Sequence, residues 1–402
     1  MNVPQLRFDG FEGEWESIRF GDVVEKLIGG GTPSRDKEEY YHHGNIPWVT
    51  VKDLKTKKYI KEALEYITEL GLKNSSSKIV DSGDLIIPTR MAVGRILIAT
   101  ENVAINQDLK GCKIKAEYEN EFIYYLYLSK ASLIEKLGSG STVSGINIEQ
   151  LLKLSIDVPT LNEQKKISYF LKRIDQKIRS LQEKIEKLVQ FKKGMMQKVF
   201  SQELRFKNED GREFGEWASL QFGDVVEKLI GGGTPSRQVE EYYGGSIPWV
   251  TVKDLKTNKY IADAIEYITE LGLEKSSSKI VDPGDLIIPT RMAVGRILIA
   301  TEKVAINQDL KGCKLKSEYD TEFIYYLYFS KSVSIEKLAS GSTVAGINID
   351  QLMKIKIQVP VLEEQKKIAD YLGKLDKKIE KEKEKLMVLE EQKKGFMQGM
   401  FV

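Results

Sequence analysis

The sequence predicts an α+β protein built twice over: two similar globular α/β parts, each followed by a long helix, with the two helices paired as a coiled coil. Three observations carry that expectation. The residues PTRMAVGR at Pro88–Arg95 return unchanged at Pro289–Arg296, 201 positions later. Each half closes with a charged segment whose apolar residues recur at spacings of four and three, the period of a helix seam. Before each seam lie short β-branched runs separated by turn residues, the pattern of strands.

At 402 residues the chain exceeds one ordinary core, and about two to four domains are expected from length alone. The repeat sets the division. Gly21–Arg35 matches Gly223–Arg237, and after a one-residue deletion the offset stays at 201 to the last residues. A weaker echo lies upstream, where LRFDGFEGEW ending at Trp15 meets LRFKNEDGREFGEW ending at Trp217. The expected segments are therefore globular parts at 1–160 and 202–361, and helices at 161–201 and 362–402. The likeness is uneven. Ser75–Lys113 and Ser276–Lys314 agree at 37 of 39 positions, whereas Leu161–Phe200 and Leu362–Phe401 agree at 19 of 40. Uniform drift does not give both figures, so either the globular part was copied more recently or its two copies are held to one task.

In the first charged segment the seam runs through Ile167, Leu171, Ile174, Ile178, Leu181, Ile185 and Leu188. In the second it runs through Ile368, Leu372, Leu375, Ile379, Leu386 and Leu389, with Glu382 where Leu181 stands in the first. A polar residue there weakens the seam and fixes its register. Pro159 and Pro360 precede the helices and turn the chain sharply into them. One helix cannot bury such a stripe alone, and the other half's helix is the expected partner. The alternative is that each helix folds onto its own globular part. Glu163–Phe200, 38 residues, would measure roughly 57 Å.

Within the globular part, IPWVTV, GDLIIP, GRILIA and VAINQDLKGCKIK read as strands, while GDVVEKL and NEFIYYLYLSKASLIEKL read as helices. SGSTVSGIN, Ser139–Asn147, reads as a loop. Short connections favour an antiparallel or mixed sheet with flanking helices.

Chemistry is sparse. The 61 Lys and Arg nearly cancel 59 Asp and Glu, leaving a formal charge of +2, so no broad basic footprint marks the chain. Local patches or basic partners are still compatible with that balance. Cys112 and Cys313 occupy equivalent LKGCK positions and read as small core residues. No apolar run reaches the ~20 residues of a membrane span, and MNVPQLRFDG lacks signal-peptide features, which points to the cytoplasm and away from membranes. The glycines of IGGGTPSR lack the ending of a phosphate loop and the spacing of a dinucleotide fingerprint. They read instead as a close backbone approach, with Thr32, Ser34 and Arg35, and Thr234, Ser236 and Arg237, as donors at its rim. His42 and His43 are replaced in the second half, which argues against a catalytic or zinc role. What remains is binding. Thr89, Arg90, Arg95, Asn106 and Gln107, matched by Thr290, Arg291, Arg296, Asn307 and Gln308, include the types that contact base edges bidentately. Each arginine could equally pair with Asp84 or Asp108 inside the fold.

These stretches resemble a known family, the specificity subunits of type I restriction-modification systems. The matching motifs are LRFDGFEGEW, GGGTPSR with IPWVTVKDL, GDLIIPTRMAVGR, GSTVSGIN, and VPTLNEQKKI and VPVLEEQKKI ahead of the long helices. The resemblance covers essentially the whole chain, twice. It implies target-recognition domains that each read half of a split DNA sequence, and spacer helices packed as an antiparallel coiled coil. It implies no catalysis, cofactor or metal in this chain. Its partners would be double-stranded DNA, two modification subunits carrying S-adenosylmethionine that methylate adenine, and restriction subunits using ATP and Mg. Near-identical domains at opposite ends of an antiparallel pair would read a palindrome with a gap, at most about 17 base pairs for a spacer of that length. Many family members carry two different domains, so a symmetric target is an expectation particular to this chain. Positions where the copies differ, such as 36–45 and Lys61–Leu64, are then not expected to read bases. A coiled-coil scaffold that never touches DNA, and a nucleotide-dependent enzyme built on GGGTPSR, are the competing readings.

Overall fold

A computed structural model describes residues 2–54, 58–138, 145–255, 258–339 and 346–402. Most of the expected loop at 139–147 lies outside these residues. The chain forms two compact units, residues 1–182 with 384–402, and residues 183–383. Each therefore holds one globular part together with a portion of both long helices.

In the first unit a five-stranded sheet runs in the order Val24–Gly29, Leu109–Ile114, Leu85–Pro88, Leu97–Ala99, Tyr59–Ile60. A four-stranded sheet has the order Glu65–Ile67, Ile46–Val49, Val103–Ile105, Lys78–Val80. Pairing is antiparallel except for Ile46–Val49 with Val103–Ile105 and Tyr59–Ile60 with Leu97–Ala99, so both sheets are mixed, as expected. A two-stranded ribbon joins Glu16–Arg19 to Ser155–Val158. The second unit repeats all three sheets in the same order.

The apolar run in GDLIIP shows why the five-stranded sheet is central. Successive strand side chains point to opposite faces. Leu85 and Ile87 join a cluster with helix Asn120–Ser129, whereas Ile86 joins another with Val49, Val80 and Val103 from the four-stranded sheet. Both faces are covered, so the run cannot alternate, and each fully buried side chain stabilises the fold by ~1.5–3 kcal/mol. Cys112 and Cys313 lie in the same layer, fully buried, with burial pushing each thiol up to about 12.

Two stretches differ from the sequence expectation. GDVVEKL is helical only to Val23. From Val24 it is a strand against Leu109–Ile114, because pairing of β-branched residues outweighs a helical period too short to nucleate. VAINQDLKGCKIK is two strands in different sheets, broken at Asn106, whose side-chain oxygen accepts from the Asp108 N–H at 3.2 Å and makes a local turn.

The EQ pair of each long helix is a structural clamp. Glu163, 1% exposed, receives a two-pronged contact from Arg7, with Nε and Nη2 both at 2.8 Å. Gln164 accepts from the Glu119 N–H at 3.0 Å and donates to the Pro159 carbonyl at 2.8 Å. In the second unit Arg205 grips Glu364 at 2.9 Å through both nitrogens, Trp217 Nε1 adds a third donor at 3.2 Å, and Gln365 bonds Asp320 and Pro360 likewise. The LRF and EQ motifs are thus two sides of one ion pair that locks the helix start to the globular part.

The helices occupy Leu161–Phe200 and Leu362–Met400 and run antiparallel. In the first unit Phe170 meets Phe396 at 5.0 Å, Asp175 pairs with Lys393 at 2.7 Å and Gln182 bonds Glu390 at 3.4 Å. In the second, Lys184 pairs with Glu382 at 3.0 Å and Lys192 with Asp376. The two packing alternatives turn out to be compatible. Ile167, Leu171 and Ile174 are core residues of the first globular part, as Ile368 and Leu372 are of the second. Ile178, Leu181, Ile185, Leu188, Leu375, Leu386 and Leu389 are half-buried, and Ile379 is buried.

A buried polar network adds a second attachment. Lys58 Nζ donates to Tyr125 Oη at 2.6 Å, pairs with Glu121 and lies 3.6 Å from Asp175 on the long helix; Tyr125 in turn donates to Asp175 at 2.5 Å. Burial pulls the Lys58 pKa down, opposed by Glu121. Lys259, Glu322, Tyr326 and Asp376 repeat the arrangement.

Two outcomes are expected. Glu382 is 5% exposed while Lys184 is half-exposed, so Glu382→Leu removes a buried charge and leaves its partner able to reach water. Urea denaturation should show a gain of about 1–2 kcal/mol. Asp84 has an unpartnered buried oxygen, and burial with the nearby Asp81 charge pushes its carboxyl up to about 6; Asp285 is raised by the same causes. A folded-state pKa above the unfolded value means the native state holds the extra proton, so this contribution to stability is lost as pH rises from about 4 to 6. In urea midpoints measured across that window, Asp84→Asn with Asp285→Asn should flatten the dependence.

Candidate nucleic-acid interface

Glycines bring the GGGTPSR loop onto the sheets. A β-carbon at Gly30 would overlap the Asn106 carbonyl, and one at Gly31 would overlap Ser76. The approach they permit is to the chain's own backbone: Gly31 N–H donates to Ile105 at 3.0 Å, and Trp48 Nε1 donates to the Gly31 carbonyl at 3.1 Å. Beyond this anchor Thr32, Ser34 and Arg35 are exposed, and the Thr32 hydroxyl donates to Gln107 Oε1. The Arg35 guanidinium pairs with Glu65 at 2.5 Å and lies over Tyr41 and Trp48, 4.7 and 4.9 Å from their centroids. Thr234, Ser236 and Arg237 repeat this display, with Thr234 on Gln308 and Arg237 paired with Glu266 over Tyr243 and Trp249.

The PTRMAVGR loop meets two other segments. Arg90 forms an antiparallel bridge with Gly145, the Ile146 N–H donates to Thr89 at 2.8 Å, and the Thr89 N–H donates to Asp108 at 2.8 Å. Between the segments lies an open groove of ≈ 640 Å³, with Thr89, Arg90, Gln107, Lys110, Asn147 and Gln150 among its lining residues. Arg90 is 60% exposed and only 3.8 Å from Asp108, a surface ion pair worth little and readily exchanged for another anion. Arg291 is the same, 3.7 Å from Asp309. Neither arginine pairs with Asp84 or Asp285.

The candidate residues thus divide into two groups. Thr32 bonds Gln107, which lines the groove with Arg90, and in the second unit Thr234 bonds Gln308 while the exposed Arg291 lies beside Asp309. Asn106 and Asn307 are 7% and 6% exposed and bonded to Asp108 and Asp309, so they shape the turn under that face. Thr89 and Thr290 spend their hydroxyls on the Asp108 and Asp309 carbonyls. Arg95 and Arg296 each donate to a carbonyl, of Leu54 and Leu255, and so tie the loop down. Among the described residues no group of three or more His, Cys, Asp or Glu side chains could hold a metal ion. No helix there is long and apolar enough to cross a membrane.

Sequence reasoning missed Lys110, Asn147 and Gln150, which only the fold brings beside Arg90. It also missed Met91 and Met292, inside the quoted repeat, which are exposed and adopt left-handed backbone at φ 63° and 51°. Such a conformation costs an ordinary side chain roughly 1–2 kcal/mol and leaves no mark in residue type.

A family model described as type I restriction modification DNA specificity domain matches residues 12–190 and 215–391. The putative type I restriction enzyme MjaX specificity subunit of Methanocaldococcus jannaschii is 28% identical over 405 residues, covering 96% of this chain and 92% of that protein. The MjaIX specificity subunit of the same organism is 33% identical over 196 residues, 48% of this chain and 45% of its own length. In fold, the chain is similar to the crystal structure of a type I restriction-modification S subunit from M. genitalium, with a TM-score of 0.63 at 16% identity over 100% of this chain and 99% of that one.

Proposed function

The chain belongs to the family of type I restriction-modification DNA specificity proteins, and from that premise we propose that each of its globular parts presents the face carrying Arg90 and Gln107, or Arg291 and Gln308, to duplex DNA and reads one half of a gapped target. The observation that carries this reading is the duplicated face. Exposed arginines with weak ion pairs, a glutamine held by a threonine, and a cation over aromatic rings occur twice with the same partners. Arg90 and Gln107, with Arg291 and Gln308, suit bidentate contact to base edges. Thr32, Ser34 and Arg35, with Thr234, Ser236 and Arg237, suit phosphate. Asn106, Asn307, Thr89, Thr290, Arg95 and Arg296 support these residues from beneath.

Since both faces carry the same side chains, the target consists of one half-site twice, on opposite strands, which is a palindrome with a gap. The chain performs no reaction and holds no cofactor. Two modification subunits bring S-adenosylmethionine and methylate adenine within the site, and restriction subunits bring ATP and Mg, all in the cytoplasm beside the DNA they act on. A net charge of +2 fits a chain that supplies sequence reading while partners share the electrostatic grip.

Methylation by the chain with its modification partner tests this reading. Arg90→Ala with Arg291→Ala should lower kcat/KM on the target by about 1–3 kcal/mol per site, and relax preference at one base of each half-site. Arg35→Ala with Arg237→Ala should reduce the salt slope without changing preference. Unchanged methylation by a folded Arg90→Ala, Arg291→Ala protein would rule out the base-reading role.

A further inference from the structure

Met91 is 78% exposed and Met292 is 62% exposed, each in left-handed backbone. A β-carbon in that region crowds the next carbonyl, so the conformation persists only where neighbours impose it. Here they do. On one side Arg90 is bridged to Gly145; on the other the Ala92 N–H donates to Arg90 at 2.9 Å and the Arg95 N–H to Ala92 at 3.1 Å. Ala92 packs against one core and Val93 against another, while Gly94, at φ 90°, has Glu135 and Ala131 where a β-carbon would go. The second unit holds its loop with a related set of contacts, the Val294 N–H turning back to the Met292 carbonyl and the Arg296 N–H donating to Ala293 at 3.2 Å. Ala293 and Val294 enter separate cores, Arg291 bridges Gly346, and Gly295 sits at φ 92° against Glu336 and Ser332. The loop is therefore held at every residue around the methionine, which faces outward.

His43, at φ 57°, has Gly244 at φ 73° as its counterpart, so at that turn the second unit has the residue that carries no strain. At 91 and 292 both units place an unbranched apolar side chain on a held turn, next in sequence to an arginine about 60% exposed, and in the first unit that arginine lines the groove with Gln107 and Lys110. An apolar tip among donors for phosphate and base edges matches the way proteins unstack a duplex. Methionine is one of the side chains that insert between base pairs, and its sulfur contacts aromatic rings favourably.

The geometry points to Met91 and Met292 as wedges, each entering one base step of its half-site and unstacking it while the adjacent Arg90 or Arg291 holds the flank. This inference rests on the DNA-reading function above. It makes the methionines specificity residues, since flexible pyrimidine–purine steps yield more readily than stiff ones.

The test uses the full chain with its modification subunits on duplexes that place 2-aminopurine at successive half-site positions. Wild-type binding should raise fluorescence at one step per half-site. Met91→Gly with Met292→Gly should abolish that rise and weaken binding by about tenfold with an unchanged salt slope, while Met91→Leu with Met292→Leu retains both. Glycine relieves the backbone, so an equal or higher melting temperature separates this loss from misfolding. A glycine variant with wild-type affinity and fluorescence, or a wild-type complex that binds with no responding position, overturns the wedge alone. A wild-type complex that binds no duplex overturns the DNA-reading function together with it.

Discussion

The apolar stripe of a long helix must be covered along its whole length, and no single surface in this protein does so. The first turns of each helix are covered by the globular part that precedes it, where Ile167, Leu171 and Ile174, or Ile368 and Leu372, complete the core. The last turns of the opposite helix supply the remaining cover: Phe396, Met397, Met400 and Phe401 pack on the first globular part, and Met196, Val199 and Phe200 on the second. Each compact unit thus needs residues from both halves of the sequence. The Arg7–Glu163 and Arg205–Glu364 pairs, each a buried carboxylate held by a partly exposed guanidinium, fix the angle at which each helix leaves.

The loops that carry the exposed donors are anchored both by apolar contacts, with Ala92 and Val93 packed on separate cores, and by polar ones. Gly30 lies against the turn at Asn106 and Gly31 against Ser76, Arg95 is bonded to Leu54, and Thr89 to Asp108. Buried groups hold the backbone while Thr32, Arg35, Arg90 and Gln107 remain outside. Rigid support beneath exposed donors is what sequence reading on DNA demands, because a bidentate contact discriminates only when its geometry is fixed.

Much of this was legible from periodicity. The seam, the proline before each helix and the mixed sheet follow from spacing and residue type, which local physics dictates. What escaped depends on tertiary context. Val24 opens a strand because Ile114 lies across from it, and the period of GDVVEKL carries no trace of that partner. Asn106 has the chemistry of a base reader, yet the strand break at Asn106 turns it inward. Lys58 looks like one more surface lysine, and only the fold brings Tyr125 and Asp175 to it from 67 and 117 residues away. The left-handed backbone of Met91 is imposed by contacts on both sides and has no sequence signature at all.

The central claim is that two equal faces read one half-site twice. Its most direct test is to methylate a plasmid library with the purified chain and its modification partner, and to map modified adenines by single-molecule sequencing. Equal half-sites on opposite strands around a fixed gap are the result expected. A gapped motif with two different halves would mean that the few positions distinguishing the copies carry specificity, and would contradict the assignment of base reading to the duplicated face.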